Sequence, residues 1–256
     1  MSLVKKAQAA KAARLQKQSL EANASSGVKF VNLLSEKDNV ASNRTEQPIG
    51  VEQAQFEIMK AAIDADLAQL KTFNTLEDKA EYKRDAIKQN GYLAYCEHYL
   101  QSGANHPNII LAWVFIWLID LQRYTEAFTF LPLLISQGQK LPTRFKTTHW
   151  GEFVIDQIYD VAVDKLSKTD EISPEDLFNI TEHVSTLTRF FNEQAWSLNP
   201  IVSGKLFAVA GKLEQQQHNY GRALNHYQHA TLLNDGAGVK KTARELAKHI
   251  GVEINI

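Results

Sequence analysis

The chain has 256 residues, 44% of them hydrophobic and 22% charged, and its 28 lysines and arginines meet 29 aspartates and glutamates for a formal net charge of −1. Such values fit one large or two small globular domains and exclude a global electrostatic pull toward nucleic acid or anionic membrane, so any basic surface must come from uneven distribution. A single cysteine, Cys96, excludes a disulfide framework and a zinc ribbon.

The chain starts with a segment rich in alanine, lysine and glutamine, in which Lys5, Lys6, Lys11, Arg14 and Lys17 all precede the first acidic residue, Glu21. Two readings stand side by side: a solvated basic tail, or an arm that meets phosphate backbone and orders on binding. Lys5 and Lys6 are not followed by an apolar run, so no secretory signal is expected and the cytoplasm is the expected location. Asn23 to Pro48 reads as a polar linker with a short helix near Phe30–Leu34, which makes residues 1–48 a basic, largely flexible arm and linker.

Val51, Phe56, Met59, Ile63, Leu67 and Leu70 keep a helical rhythm up to Thr72. A second helix is predicted from Glu77 to Gln101, carrying Tyr82, Ile87, Tyr92, Leu93, Tyr95, Cys96 and Tyr99, with Gly91 as a point of kinking or close packing. Residues 49–103 would then form a long helical hairpin suited to oligomerisation. Cys96 is expected to be a small buried residue. Asp64 and Asp66, two apart, fall on different sides of the first helix and make a weak metal pair.

Residues 104–256 read as a helical core. From Ile109 to Ile119 the chain is almost wholly apolar, with Trp113, Phe115 and Trp117; Asp120 to Arg123 interrupt it, and Ala127 to Ile135 resume it. The first run is shorter than the about 20 residues of a membrane span. Two helices joined by a tight turn are predicted, the first apolar all round and therefore surrounded by other elements.

Gln137 to Trp150 is a loop whose Lys140, Arg144 and Lys146 meet no acid before Glu152, so it is either a solvated loop or a phosphate contact. The helix predicted over Thr148–Ser167 carries Asp156, Asp160 and Asp164 four apart, a row that could hold Mg²⁺ for phosphodiester cleavage but also has the look of a solvated face. Ser173-Pro174-Glu175-Asp176 starts a helix reaching Glu193, and Asn199-Pro200 opens the next by the same capping logic.

The C-terminal hairpin fits a tetratricopeptide pattern at Phe207, Ala210, Gly211, Tyr220, Ala223, Tyr227 and Ala230, with Glu214 in the motif's tyrosine place. Arg123 to Phe128 echoes Asn219 to Leu224, but two matches do not make an array. His226 and His229 share a helix face with no acid or cysteine to complete a zinc site. Lys240 and Lys241 open a last helix, Val239–His249, on which Lys241, Arg244 and Lys248 share one face, solvated or turned to phosphate. No strand pattern of useful length occurs. The expected fold is all-α: a multi-helix bundle with a long N-terminal hairpin and tetratricopeptide-like C-terminal hairpins.

Taken in order, Trp117 and Asp120, then Ala127, then Gly138 with Leu141-Pro142 and the basic loop, then Ala223 to Leu233, then Gly238-Val239-Lys240-Lys241 resemble the small terminase subunit of temperate, contractile-tailed phages with cohesive-end genomes. The likeness runs from about Glu46 to His249. It implies a subunit that recognises double-stranded phage DNA near the cohesive end and presents it to the large terminase subunit, which holds the ATPase and cuts. A homo-oligomeric ring acting in the host cytoplasm, off the membrane, is the implied form. Members of that family can carry a long basic C-terminal tail; here the sequence ends Glu253-Ile254-Asn255-Ile256, so DNA contact is expected from the basic arm, loop or last helix. No cofactor is expected, and Mg²⁺ enters only if the chain is an endonuclease in its own right through Asp156, Asp160 and Asp164. A helical-repeat protein-interaction module is the remaining alternative.

Overall fold

The computed structural model describes residues 49–168, 172–194 and 196–256, and the fold is that of the unit Gln53–Ile256. The arm cations Lys5, Lys6, Lys11, Arg14 and Lys17 and the linker lie outside the described residues. Ten α-helices follow one another, and no strand occurs among the described residues: α1 Ile49–Leu70, α2 Leu76–Gln89, α3 Tyr92–Ser102, α4 Ile109–Asp120, α5 Tyr124–Ser136, α6 Trp150–Ser167, α7 Pro174–Glu193, α8 Pro200–Gln216, α9 Tyr220–Leu233 and α10 Lys240–Ile250.

α4 is the centre of the first half, as its composition requires. All ten residues from Ile110 to Ile119 are buried, so this stretch meets water on no side, and the Asp120 end of the helix reaches the surface. Neighbours α2, α3 and α5 lie against it, and the Trp150 ring at the start of α6 meets Phe115 edge-on at 5.3 Å. Asn108 starts the helix, its Oδ1 accepting from the Leu111 amide at 3.0 Å while its Nδ2 donates to the Tyr95 hydroxyl at 3.1 Å. The turn into α5 uses Gln122 at φ 57°, a left-handed residue that reverses the chain in three positions.

The single helix expected over Glu77–Gln101 is two. Gly91 sits at φ 66°, a conformation that costs a side-chain-bearing residue but not glycine, and it separates α2 from α3. The break lets Asn90 and Tyr92 turn back onto α1. Tyr82 and Tyr92 hydroxyls donate to Asp66 at 2.7 and 2.6 Å, and Asn90 Nδ2 donates to the same carboxylate at 3.0 Å. Asp66 is 7% exposed, so its place is that of a buried structural carboxylate rather than one half of a metal pair with the exposed Asp64. Burial first, then the Asp66 carboxylate they face, raises the pKa of both tyrosines well above the ordinary range, so they remain donors at any physiological pH. Cys96 is fully buried, as expected, and burial pushes its thiol pKa up.

In the second half α8 lies along α9, with α6 and α7 on its other sides and α10 against α9. The predicted helix starts hold: Ser173 Oγ accepts from the Asp176 amide at 3.0 Å, and Asn199 Oδ1 accepts from Ile201 at 2.9 Å. The tetratricopeptide-like positions explain the close approach of α8 and α9. A Cβ on Gly211 would stand 2.5 Å from two ring carbons of the fully buried Tyr227. Glu214, 2% exposed, accepts from Asn219 Nδ2 at 2.8 Å and meets Arg222 Nε at 3.3 Å, which satisfies a charge where the repeat places a ring. Gly211→Ala is expected to lower stability despite the about 1 kcal/mol of helix propensity it gains. Overpacking a fixed ring costs about 1–3 kcal/mol, so thermal melting by circular dichroism should show a drop of several degrees; an equal or higher midpoint would mean that Tyr227 moves aside freely.

Candidate nucleic-acid interface

Both ends of the basic loop between α5 and α6 are tied into the core. Gln139, 8% exposed, is the first anchor. Its Oε1 accepts from the Asn108 amide at 2.8 Å, its Nε2 donates to the His106 carbonyl at 2.7 Å, and its own carbonyl accepts from Trp150 Nε1 at 2.7 Å. Tyr99 braces the same node, donating to the His106 carbonyl at 2.7 Å and accepting from the His106 amide at 3.1 Å. The loop preceding α4, the exit of α5 and the entry of α6 are thereby held by one buried residue, Gln139, through its side-chain amide and its backbone carbonyl.

The second anchor is at α6. His149 Nδ1 accepts from the Gly151 amide at 3.0 Å, which requires that nitrogen to be unprotonated; burial pulls the imidazole pKa down, against the opposing pull of Glu152. Burial works against the charged form of Glu152, but the Asn199 amide at 2.9 Å and the Thr147 hydroxyl at 2.7 Å bring its pKa below the ordinary value. This carboxylate joins the end of the loop to the start of α8.

Between the anchors the loop turns at Pro142, whose carbonyl accepts from the Phe145 amide at 3.1 Å. The Phe145 ring meets Phe153 at 5.0 Å and Trp113 at 6.4 Å. Arg144 lies over these rings, its guanidinium carbon 4.3 Å from the Trp113 centroid and 4.9 Å from that of Phe145. Burial against the rings lowers the Arg144 pKa from its ordinary value, and the Asp120 carboxylate opposes that shift. Lys140 and Lys146 are exposed. A cavity of about 460 Å³ is lined by Leu134, Gln139, Leu141, Pro142, Phe145 and Trp150. Three cations thus stand on a short segment whose backbone is already ordered, so a phosphate contact there would cost little further conformational entropy.

The other sequence-predicted residues are placed differently. On α10, Ala243, Leu246 and Ala247 face the core, which leaves Lys241, Arg244 and Lys248 exposed as expected. On this helix Lys240 pairs with Asp235, the exposed Lys241 lies 3.9 Å from Glu245, and Arg244 donates to the Ile256 oxygen at 3.0 Å. Asp156, Asp160 and Asp164 run along α6 at about 6 Å per step. Asp156 pairs with Lys205 at 3.2 Å and Asp164 with Lys168 at 2.9 Å, while Asp160 is exposed. Among the described residues no group of three or more histidine, cysteine or carboxylate side chains is placed to hold a metal ion. His226 and His229 flank the Phe207 ring at 5.9 and 5.2 Å, as packing groups on α9.

Sequence reasoning missed Gln139, Trp150 and Lys83. The first two carry no local signature, because their partners are brought in by the fold. Lys83, on α2, reaches the carboxylate of Asp120 at 2.6 Å across 37 residues of sequence.

The family model for the phage small terminase subunit matches residues 60–193 of this chain, a segment that takes in α2 to α7 and the whole basic loop. A curated relative, the "Probable terminase, endonuclease subunit" of Haemophilus phage HP1, is 28% identical over 182 residues, which cover 70% of this chain and 60% of that protein. No solved structure matches the chain.

Proposed function

The chain belongs to the phage small terminase subunit family, and from that premise we propose that it binds duplex phage DNA at the packaging site and delivers it to the large terminase subunit in the host cytoplasm. The observation that supports this reading most is the anchored loop with Lys140, Arg144 and Lys146. Its three cations are held on a fixed backbone, and the loop lies inside the segment that matches the family. Three phosphate contacts are few for one subunit, so the working form in this proposal is a closed homo-oligomer that repeats the loop around one duplex and gains strength by multivalency. Among the described residues no helix is long and apolar enough to cross a membrane. Strand cleavage is assigned in this reading to the assembled terminase, since two of the three aspartates on α6 already hold lysines.

Fluorescence anisotropy on duplex DNA across a salt series tests it. Wild-type affinity should fall steeply with salt, and the triple variant K140Q/R144Q/K146Q should flatten the slope of log K against log salt by about 2.7 per subunit engaged, at about 0.9 per lost phosphate contact. An unchanged slope removes the loop from the proposal. A monomeric wild-type protein that ignores duplex DNA in dilute buffer overturns the proposal as a whole.

A further inference from the structure

Asp120 ends α4 on the same face as Trp113, seven residues and about two helical turns earlier. Two cations from separate parts of the chain converge on that face. Lys83, from α2, places Nζ 2.6 Å from Asp120 Oδ2. Arg144, from the loop, stacks on Trp113 and feels the charge of the same carboxylate. The Asp120 side chain is 30% exposed and that of Lys83 15%, so the pair sits at the margin of the surface rather than in the core. Arg123, the next cation along the chain, is occupied by Glu126 at 2.5 Å and adds nothing to this group.

We propose that Lys83 belongs to the same DNA-contacting surface as Arg144, and that Asp120 is a built-in counter-ion which phosphate must displace. The inference rests on the DNA-binding reading above. Without DNA, the carboxylate pairs with the Lys83 ammonium and offsets part of the positive charge of Arg144, which the Trp113 ring holds. A backbone phosphate offers these cations a second acceptor of the same charge. Binding then exchanges one anion for another, with Asp120 left as a nearby negative charge that weakens the contact. The cost of that exchange falls equally on every sequence, because phosphate contacts carry no base information. Asp120 therefore lowers non-specific retention on DNA, and whatever reads the packaging site lies elsewhere on the assembly.

Four forms of the full chain are compared by anisotropy against one cognate and one unrelated duplex across a salt series: wild type, D120N, K83Q and K83R. D120N is expected to bind both duplexes roughly tenfold more tightly near 0.1 M salt with the wild-type salt slope, because Lys83 contacts phosphate in both forms and only the competing carboxylate is lost. K83Q should bind several-fold more weakly with a slope flatter by about 0.9, the loss of one contact, and K83R, which keeps the charge, should follow wild type. Circular dichroism establishes that each form is folded. If D120N fails to fold, the contrast between K83Q and K83R decides alone. Binding by D120N that is unchanged or weaker, or a K83Q slope equal to that of wild type, overturns the inference. Should wild type bind and the triple loop variant lose its slope while Lys83 and Asp120 variants do nothing, only this inference fails. Absence of any wild-type binding would instead sink the DNA-binding reading beneath it.

Discussion

Asp66→Ala is expected to destabilise the fold by about 4 kcal/mol, far beyond the about 1 kcal/mol of an average substitution. The carboxylate takes three hydrogen bonds, from Tyr82, Tyr92 and Asn90, and so joins α1 to both sides of the α2–α3 break. Tyr92 is fully buried, so its hydroxyl would lose its acceptor with no water to replace it. Hydrogen bonds to a charged group are worth about 1.5–3 kcal/mol each, and a buried donor left unpaired adds its own desolvation cost. Relaxation of Asn90 and Tyr82, which are only partly buried, keeps the total below the sum. Urea unfolding would read the loss as a lower midpoint, with thermal melting down by roughly 8–16 °C at about 2–4 °C per kcal/mol for a domain of this size. Adding Tyr82→Phe and Tyr92→Phe to Asp66→Ala should recover part of the loss, because removing both partners costs less than stranding one. No recovery in the triple variant would show that the effect comes from a cavity and not from stranded hydroxyls.

The second large effect is expected at Trp117, where alanine should cost about 3 kcal/mol and phenylalanine under about 1 kcal/mol. Large-to-small changes of a buried tryptophan commonly cost about 3–5 kcal/mol. Trp117 is fully buried at the centre of α4 and meets the Tyr92 ring edge-on at 5.9 Å. Its Nε1, however, finds no hydrogen-bond partner among the described residues, and a buried unpaired donor carries a penalty of about 1–3 kcal/mol in the native state. Removing the indole removes that penalty along with the contacts, which places the alanine variant at the low end of the range. Phenylalanine keeps most of the apolar volume and drops the unpaired N–H, so the two terms nearly cancel. A phenylalanine variant as unstable as the alanine one would mean that the N–H has an acceptor in solution and that ring size is not what matters.

Asp66 and Trp117 differ in how they read from sequence. Trp117 sits in an apolar run with no polar side, and such a run has one solution in water: a helix enclosed by others. The starts of α7 and α8 were legible for an equally local reason, since Ser173 and Asn199 satisfy amides two or three residues ahead. Asp66 was legible only as one acid of a polar helix, because the phenols that need it are 16 and 26 residues away and reach it only after Gly91 breaks the helix between them.

The same division holds for the candidate interface. Local chemistry marked Lys140, Arg144 and Lys146 as a basic loop without a compensating acid, and marked α10 as amphipathic with its cations outward. It could not rank them, since whether a cation is free depends on what the fold brings beside it. Asp235 pairs with Lys240 of α10, whereas the loop cation Arg144 meets the rings of Trp113 and Phe145.

Sequence by itself determined the all-helical class, the identity of the central helix, most helix starts and the family likeness, because each depends on side chains within a turn or two of one another or on their order along the chain. Tertiary structure decided the burial of Asp66, the anchoring of the loop by Gln139 and Trp150, and the meeting of Lys83 with Asp120. Those arise from residues 11 to 40 positions apart. Their hydrogen bonds and charges find each other only once the apolar surfaces of α4 have drawn the helices together.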